Sequence, residues 1–226
     1  MHWADFAAQT LSHRGNKHII ASGITPSGEF HIGHLREILT GDMVTKACIN
    51  AGMEAEFVFI VDSADPLRKV YPFLSDEYEQ YIGCALATIP APDENGRPGK
   101  DGRTYAQHFL EPFLAALEQI DVRPRIIDNY TSYANGEFAQ RSKIACEKAN
   151  EIREIIERVS GRELAPSWFP YNPYGHNGSL DGVTVTGYDW PYVHWEQDGV
   201  PGKSDLNKAE GKLPWRIDWP ASCLLY

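Results

Sequence analysis

The sequence predicts an α/β fold built on a doubly wound parallel sheet, and three consecutive segments carry that prediction. The apolar run 17–22 stops at Gly23 and the Pro and Gly residues beyond it, which is typical of a strand entering a tight loop. From Ile32 to Ala47, apolar residues recur every three or four positions, as on the buried stripe of a helix. The run 57–61 is continuously apolar, as expected for a strand covered on both faces. Strand, helix and strand in so short a stretch indicate a right-handed βαβ unit.

After residue 61 the sequence predicts further helices and a third strand of the same α/β type, and then a segment of different composition. Residues 88–103 are rich in Pro, Gly and charge and predict a surface loop, and residues 105–120 predict a helix. A third strand is predicted at 125–128, followed by one long helix from about 136 to 159 that Gly161 stops. The stretch that follows is dense in Gly, Pro, Tyr and Trp and predicts a small inserted β module.

The composition excludes several classes of protein. The 226 residues include 21 Lys and Arg against 31 Asp and Glu, and a net charge of −10 argues against a basic nucleic-acid clamp. No apolar run approaches the ~20 residues of a membrane span, and the start shows no signal-peptide pattern, so we expect a cytoplasmic protein with no membrane partner. The cysteines form no Cys-x-x-Cys pair and are expected to be reduced thiols. They are Cys48, Cys84, Cys146 and Cys223.

The most informative segment is the loop and helix start that follow the first strand. Pro26 and Gly28 form a tight turn, and Gly28 permits a close approach of the backbone to a ligand. His31 and His34 are three residues apart, so both rings project from the first helical turn, where backbone N–H groups and the helix dipole favour a phosphate. Gly33 has no side chain, so a flat base can lie against the backbone. Solvated surface histidines and a metal-binding pair are the alternatives, but doubly wound folds bind ligands at this position.

Further segments form a series that spans most of the chain in order. They are His2–Asp5, Ser22–Gly28, Leu35–Glu37, Asp62–Asp65, Leu67–Val70, Tyr105–Phe109 and Lys212–Pro220. The sequence His31-Ile32-Gly33-His34 resembles the signature of class I aminoacyl-tRNA synthetases, and the whole series resembles the class I lysyl-tRNA synthetase family. The resemblance is thin across residues 75–103 and 165–205. It implies a Rossmann-like fold of the HIGH-motif nucleotidylyl transferase type.

The resemblance implies a lysine-tRNA ligase that works in two steps. Lysine and ATP, accompanied by Mg²⁺, give lysyl-adenylate, and the lysyl group then moves to tRNA(Lys). His31 and His34 are the implied catalytic residues, because they can stabilise charge that develops on the phosphates. The implied ATP-binding residues are Pro26, Gly28, His31, Gly33 and His34. The implied lysine-binding residues are Gly23, Thr25, Glu37, Asp218 and Trp219.

Several of these carboxylates have alternative interpretations. Glu37 suits the ammonium group of lysine, since a desolvated charge needs a partner, but it can also be an exposed helix residue paired with a neighbouring Arg or Lys. Asp218 and Trp219 can be a surface carboxylate and a packing aromatic ring. Asp62 and Asp65 follow the second strand and either orient the substrate or cap the next turn.

The resemblance also implies how the chain is divided. It implies a first half of the Rossmann-like catalytic domain at 1–164, an inserted β-rich connective module at 165–205 and a truncated return segment at 206–226. The family's Lys-Met-Ser-Lys-Ser loop does not occur in the sequence, so we expect impaired activity and a complementing C-terminal chain or self-association. The alternatives are a non-catalytic or split-enzyme half that binds tRNA or a partner, and a small HIGH-type adenylyltransferase or cytidylyltransferase. His176 and His194 have no Cys partners, so we expect no structural zinc.

Overall fold

The computed structural model describes residues 2–225, which fall into two compact units. The first unit consists of the residues up to Ser63 together with Leu86–Asn129. The second consists of Ala64–Ala85 together with the residues from Tyr130 onward. Each unit contains its own cluster of buried apolar side chains. The domain boundaries drawn from the sequence stay a prediction.

A parallel three-stranded sheet organises the first unit and confirms the predicted α/β class. Its strands, in spatial order, are β1 (Lys17–Ile24), β2 (Glu54–Val61) and β3 (Arg125–Asp128). Its helices are α1 (Trp3–Ser12), α2 (Ile32–Asn50) and α3 (Tyr105–Gln119). The register pairs Ile24 with Val61 and Val61 with Asp128, so the carboxyl ends of all three strands meet at one edge. The loop that leads from β1 into α2 therefore begins at the edge where doubly wound folds bind ligands.

The core of this unit forms around the middle strand. Phe59 and Val61 of β2 are fully buried, as the continuous apolar run predicts. They pack in one cluster with Ile38 of α2 and Phe113 of α3, so both helices are held against the sheet by their apolar stripes. Gly41 allows this close packing, because a Cβ atom there would lie 2.5 Å from the ring of Phe57.

The second unit combines short helices with small antiparallel sheets. Its helical segments are a 3-10 helix (Asp76–Tyr81), α5 (Ala139–Glu147), α6 (Ala149–Ser160) and α7 (Trp215–Leu225), with α4 (Asn129–Ala134) beginning at the boundary between the units. Its strands are β4 (Asn172–Pro173), β5 (Val183–Asp189), β6 (Tyr192–Gln197), β7 (Val200–Asp205) and β8 (Gly211–Lys212). Strands β5, β6 and β7 form one sheet, and β4 pairs with β8. The short β-type pieces expected in this part of the chain are therefore present.

The prediction of one long helix from 136 to 159 is wrong. Gly136 has a φ of +75°, which is outside a right-handed helix, and the chain is helical again only from Ala139. Lys148 then separates α5 from α6 with a φ of −106° and a ψ of 24°. The break lets the small buried residues of α5, such as Ala145, and the apolar stripe of α6, which includes Ile152, pack on the same cluster from different directions. Gly161 ends α6 with a φ of +65°, as the sequence predicts.

Aromatic residues of the β module serve mainly as packing. Trp195 is almost completely buried, and its indole N–H donates to Ser204 Oγ at 3.0 Å across β6 and β7. Tyr171 is fully buried in the cluster that also contains Val193. Trp190, in contrast, is 42% exposed at the turn between β5 and β6.

No helix within residues 2–225 is both long and apolar enough to cross a membrane. All four cysteines are free thiols, and Cys48, Cys84 and Cys146 are buried. Burial raises the pKa of the Cys146 thiol to about 12, which leaves it protonated at neutral pH.

Candidate functional site

The loop between β1 and α2 is held in place from both sides. Ser27 N–H donates to the Thr25 carbonyl at 2.8 Å, which closes the turn directly after β1. The hydroxyl of Tyr105, at the start of α3, donates to the Ser27 carbonyl at 2.8 Å, and Tyr105 is itself fully buried. Pro26 between them is buried as well. The turn that leads toward α2 is thus hydrogen-bonded within itself and to α3, and a phosphate site benefits from backbone groups held in this way.

His31 and His34 cap the helix with their own side chains. His31 is the N-cap residue of α2, and its Nδ1 accepts the backbone N–H of Gly33 at 3.1 Å. His34 Nδ1 in turn accepts the backbone N–H of His31 at 3.1 Å, which completes a reciprocal cap. The two rings stack with centroids 3.9 Å apart. The sequence predicts that both rings project from this turn, and the structure brings them together there.

The caps determine which ring nitrogen carries the proton. An Nδ1 atom that accepts a hydrogen bond from the backbone holds no proton, so the hydrogen-bond network assigns the proton of each neutral ring to Nε2. Partial burial, followed by the neighbouring His31, lowers the pKa of His34 and so favours its neutral form at pH 7. The site therefore presents two imidazole Nε2–H donors beside the positive end of the α2 dipole. Such an arrangement suits the negative charge of a phosphate chain.

Gly33 is required by the His31 cap. A Cβ atom at this position would lie 2.8 Å from His31 Cε1 and 2.9 Å from its Nδ1, so any side chain collides with the capping ring. We expect Gly33→Ala to displace the His31 ring while the free energy of unfolding changes by less than about 1 kcal/mol, because the loss of a cap offsets the gain from replacing a helical glycine. Imidazole ¹⁵N chemical shifts report the tautomer of His31. Unchanged shifts in a folded Gly33→Ala variant would contradict this account of the glycine.

Glu37 lies beside a cleft between α2 and β1. Its carboxylate Oε1 accepts the hydroxyl proton of Ser22 at 3.1 Å, and Ser22 is a buried residue of β1. The cleft has a volume of about 450 Å³, and its lining includes Gly33 and Arg36 as well as these two residues. Lys46, a basic residue further along α2, pairs with Asp42 at 2.8 Å. Glu37 is exposed, and a carboxylate at the rim of such a cleft can bind a small cation.

The remaining residues of the predicted ligand site are divided between the two units. Gly23 is in β1, opposite Ile60 of β2, and Thr25 directly follows the strand. Gly28 is in the loop that Tyr105 anchors. These residues belong to the first unit, together with both histidines and Glu37. Asp218 and Trp219 belong to the second unit, where they lie in the first turns of α7.

Asp218 is part of a buried ionic cluster, not a surface carboxylate. Lys212 Nζ lies 2.6 Å from Asp65 Oδ1 and 3.2 Å from Asp218 Oδ2, and all three side chains are at most 6% exposed. The hydroxyl of Tyr133 donates to Asp218 Oδ1 at 3.0 Å and accepts the backbone N–H of Leu213 at 3.0 Å. Burial raises the pKa of Asp218, and the Lys212 ammonium opposes that shift. Asp65 therefore pairs with Lys212, and a role in orienting the substrate stays a prediction.

Asp62, in contrast, stays at the carboxyl end of β2. Its backbone N–H donates to the Ile24 carbonyl at 2.8 Å and extends the pairing of β1 with β2 by one residue. The next residue, Ser63, donates its hydroxyl to Asp128 Oδ2 at 2.5 Å, at the end of β3. The polar groups at this edge therefore tie the three strands together.

Comparisons with known proteins agree with this geometry. Parallel strands that lead into a His-x-Gly-His helix define the nucleotide-binding half of a class I aminoacyl-tRNA synthetase. The family described as class I tRNA synthetases of the lysine type matches residues 1–224, and the chain belongs to that family. Curated relatives named lysine–tRNA ligase include those of Picrophilus torridus (40% identical over 98% of this chain and 42% of the relative), Thermoplasma acidophilum (40%, 97% and 42%) and Archaeoglobus fulgidus (41%, 98% and 44%). The chain thus spans less than half the length of these relatives.

Proposed function

We propose that this chain supplies the nucleotide-binding and lysine-binding half of a class I lysine–tRNA ligase. The observation that carries the proposal is the pair of imidazole Nε2–H donors at the start of α2, on the same helix as Glu37. In the first step a carboxylate oxygen of lysine attacks the α-phosphorus of ATP. The bond to the β-phosphate oxygen breaks, and pyrophosphate leaves with the electron pair. The lysyl group of the adenylate then passes to the terminal ribose of tRNA(Lys), and AMP leaves.

His31 and His34 act on the phosphates in this proposal. Negative charge grows on the phosphate oxygens during the displacement, and donors that are already in place stabilise that charge without reorganisation. Pro26, Gly28 and Gly33 shape the backbone against which the nucleotide lies. Mg²⁺ enters with ATP, because in nucleotide sites it is bound largely by phosphates and water. Within residues 2–225, no group of three His, Cys, Asp or Glu side chains is placed to hold a metal ion.

Glu37 binds the side-chain ammonium of lysine in this proposal. The Ser22 hydrogen bond orients its carboxylate toward the cleft, and Gly23 and Thr25 lie on the strand end that faces the amino-acid backbone. Asp218 and Trp219 stay predicted lysine-binding residues, and the Asp218 carboxylate is also held by Lys212 within the second unit.

A complementing chain or self-association completes the site in this proposal. The relatives are more than twice as long as this chain, and β1 lies at one end of the strand order β1-β2-β3. A second polypeptide can add strands beside β1 and supply the Lys-Met-Ser-Lys-Ser loop. The active assembly then works in the cytoplasm on lysine, ATP and tRNA(Lys). The second candidate is a half that binds tRNA without catalysis.

The test is lysine-dependent exchange of labelled pyrophosphate into ATP. It is run on the purified chain alone and with the C-terminal part of the Archaeoglobus fulgidus relative. We expect exchange that requires lysine and is strongest with the added polypeptide. Exchange supported equally by other carboxylic acids would favour a different adenylyltransferase. Tight tRNA binding without exchange in either sample would favour the non-catalytic half.

Replacing Glu37 tests the lysine assignment within the same assay. Glu37→Ala removes a charge-assisted contact of about 1.5–3 kcal/mol, so we expect the KM for lysine to rise about 10- to 100-fold with little change in the KM for ATP. Glu118→Ala is the matched control, because Glu118 is an exposed glutamate on α3 away from the cleft. An equal rise in both KM values would assign Glu37 a structural role instead.

A further inference from the structure

The buried ionic cluster of the second unit joins four separate segments of the chain. Asp65 follows β2, and Tyr133 lies in α4. Lys212 lies in β8, and Asp218 lies in the first turn of α7. All four residues belong to the second unit, and the proposed reaction gives no role to Asp65, Tyr133 or Lys212. We call these four residues the α7 anchor.

The α7 anchor is an expensive way to fill a core. The desolvation of charged groups offsets most of their mutual attraction, and apolar side chains of similar volume often stabilise a core as well or better. Apolar contacts have little directional preference, whereas hydrogen bonds to a carboxylate fix both distance and angle. Both oxygens of Asp218 are contacted, Oδ1 by Tyr133 and Oδ2 by Lys212. The anchor therefore favours one placement of Asp218 within the second unit.

Tyr133 connects Asp218 to the backbone that leads into α7. Its hydroxyl donates to Asp218 Oδ1 and accepts the backbone N–H of Leu213, both at 3.0 Å. Burial, followed by the charge of Asp218, raises the pKa of Tyr133 well above its usual value, so the hydroxyl keeps its proton. The Tyr133 ring stacks on Phe138 with centroids 4.1 Å apart. One hydroxyl thus ties a carboxylate of α7 to the chain that enters the helix.

The first turn of α7 depends on such contacts for its position. The helix has 11 residues, and isolated helices of this length are marginal in water. Pro220 lies inside the helix and has no backbone N–H to donate to the carbonyl of Arg216. Side-chain contacts outside the helix therefore hold the turn that contains Asp218.

Trp219 directly follows Asp218 and projects from a different face of α7. Successive side chains of a helix point about 100° apart, so the residue after a buried one turns away from the core. Trp219 is half-buried, and Trp215, one turn earlier on the same face, is 62% exposed. The placement of the Asp218 carboxylate in the core thus determines where the Trp219 ring lies.

We propose that Asp65, Tyr133 and Lys212 are positioning residues that set the placement of Trp219 through Asp218. The inference rests on the proposed function, which keeps Trp219 as a predicted lysine-binding residue. A displacement of about 1 Å at a substrate-positioning group can cost about 100-fold in catalysis. Weakening the anchor should raise the KM for lysine and leave the KM for ATP unchanged, because the predicted ATP-binding residues belong to the first unit.

Tyr133→Phe tests the anchor, and Tyr171→Phe is its matched control. Both tyrosines are fully buried in the same apolar cluster, but within residues 2–225 the Tyr171 hydroxyl has no hydrogen-bond partner. Pyrophosphate exchange is measured with the C-terminal part of the Archaeoglobus fulgidus relative present. We expect Tyr133→Phe to raise the KM for lysine about tenfold at an unchanged KM for ATP, while Tyr171→Phe matches the unaltered chain in both.

The two KM values distinguish positioning from a structural role. A structural role alone lowers the stability of Tyr133→Phe in urea and leaves the KM for lysine of the folded protein unchanged, and that result overturns the proposal. Equal rises in both KM values overturn it as well. If Tyr133→Phe does not fold, Asp65→Asn replaces it, because this variant keeps the shape of the side chain and removes only its charge. The same rise in the KM for lysine is expected, and its absence overturns the proposal.

A second measurement separates this inference from the proposed function. With fluorinated tryptophan incorporated, the ¹⁹F NMR spectrum reports each indole ring, and Trp219→Phe identifies the Trp219 signal. We expect Tyr133→Phe to shift that signal and to leave the signal of Trp3, in the first unit, in place. A shifted Trp219 signal in a chain without lysine-dependent exchange supports the anchor and counts against the ligase proposal. An unshifted signal in a folded Tyr133→Phe variant that still shows exchange overturns the anchor and leaves the ligase proposal standing.

Discussion

Replacing Lys212 with methionine is expected to lower the free energy of unfolding of the second unit by about 3–5 kcal/mol. Lys212 is 2% exposed, and its ammonium lies between the carboxylates of Asp65 and Asp218. Methionine has a similar volume but no charge, so the variant leaves two carboxylates buried together without a cation. Urea denaturation followed by tryptophan fluorescence measures the effect, because five of the six tryptophans lie in the second unit and Trp3 is the exception.

Lys208→Met is the control for this prediction. The Lys208 side chain is 61% exposed and pairs only across the surface with Asp205 and Glu210, so its loss is expected to cost less than about 1 kcal/mol. Equal effects of the two substitutions would contradict the role given to the buried cluster. Asp65→Asn added to Lys212→Met should recover part of the loss, since it removes one of the uncompensated charges.

The loss caused by Lys212→Met is also expected to depend on pH. Burial already raises the pKa of Asp218 above 3.8, and removal of the ammonium that opposes the shift raises it further. A carboxyl group whose pKa is higher in the folded state binds more protons there, so stability falls as pH rises from 3.8 through the folded-state pKa. The difference between Lys212→Met and the unaltered chain should therefore shrink in acid. A difference that stays constant between pH 7 and pH 4 would argue against buried carboxylates as its cause.

Much of the first unit can be predicted from local sequence, because each of its elements carries its own signal. The continuous apolar run in β2 is buried on both faces. Of the stripe predicted along α2, Ala47 is buried and Leu35 and Leu39 are partly buried, but Ile32 at its start is 78% exposed. The break at Lys148 gives no such signal, since the apolar spacing on both sides of it is helical. Only the direction in which each half packs on the core decides where that helix is interrupted.

In the candidate site, too, local sequence predicts some features, whereas features that depend on tertiary contacts cannot be predicted from it. The spacing of His31 and His34 predicts that their rings share one face, but it does not show that both Nδ1 atoms cap the helix. The ionic cluster depends on residues far apart in the sequence, since Lys212 and Asp65 are 147 positions apart. A lysine in the short apolar context Gly-Lys-Leu-Pro is the only local sign of it. Such contacts are fixed by tertiary packing, so a single sequence does not reveal them.

Replacing either histidine with asparagine is expected to lower the rate of lysine-dependent pyrophosphate exchange about 100-fold, if the chain is supplied with its complementing polypeptide. Asparagine places its amide oxygen near the position of Nδ1 and is a good N-cap residue, so His31→Asn keeps the acceptor for the Gly33 N–H and removes the Nε2–H donor. The variant therefore separates catalysis from helix capping. Unfolding measurements should show a change of less than about 1 kcal/mol.

The double variant decides whether the two donors act on the same group. If both imidazoles stabilise one charge on the phosphates, the second replacement removes less than the first, and the combined loss falls short of the product of the two single losses. The stacking of the rings at 3.9 Å makes this outcome the expected one, because donors so close together can reach the same phosphate chain. Losses that multiply fully would place the two histidines on separate groups. Exchange that survives both replacements would remove the histidines from the mechanism and leave them as helix caps.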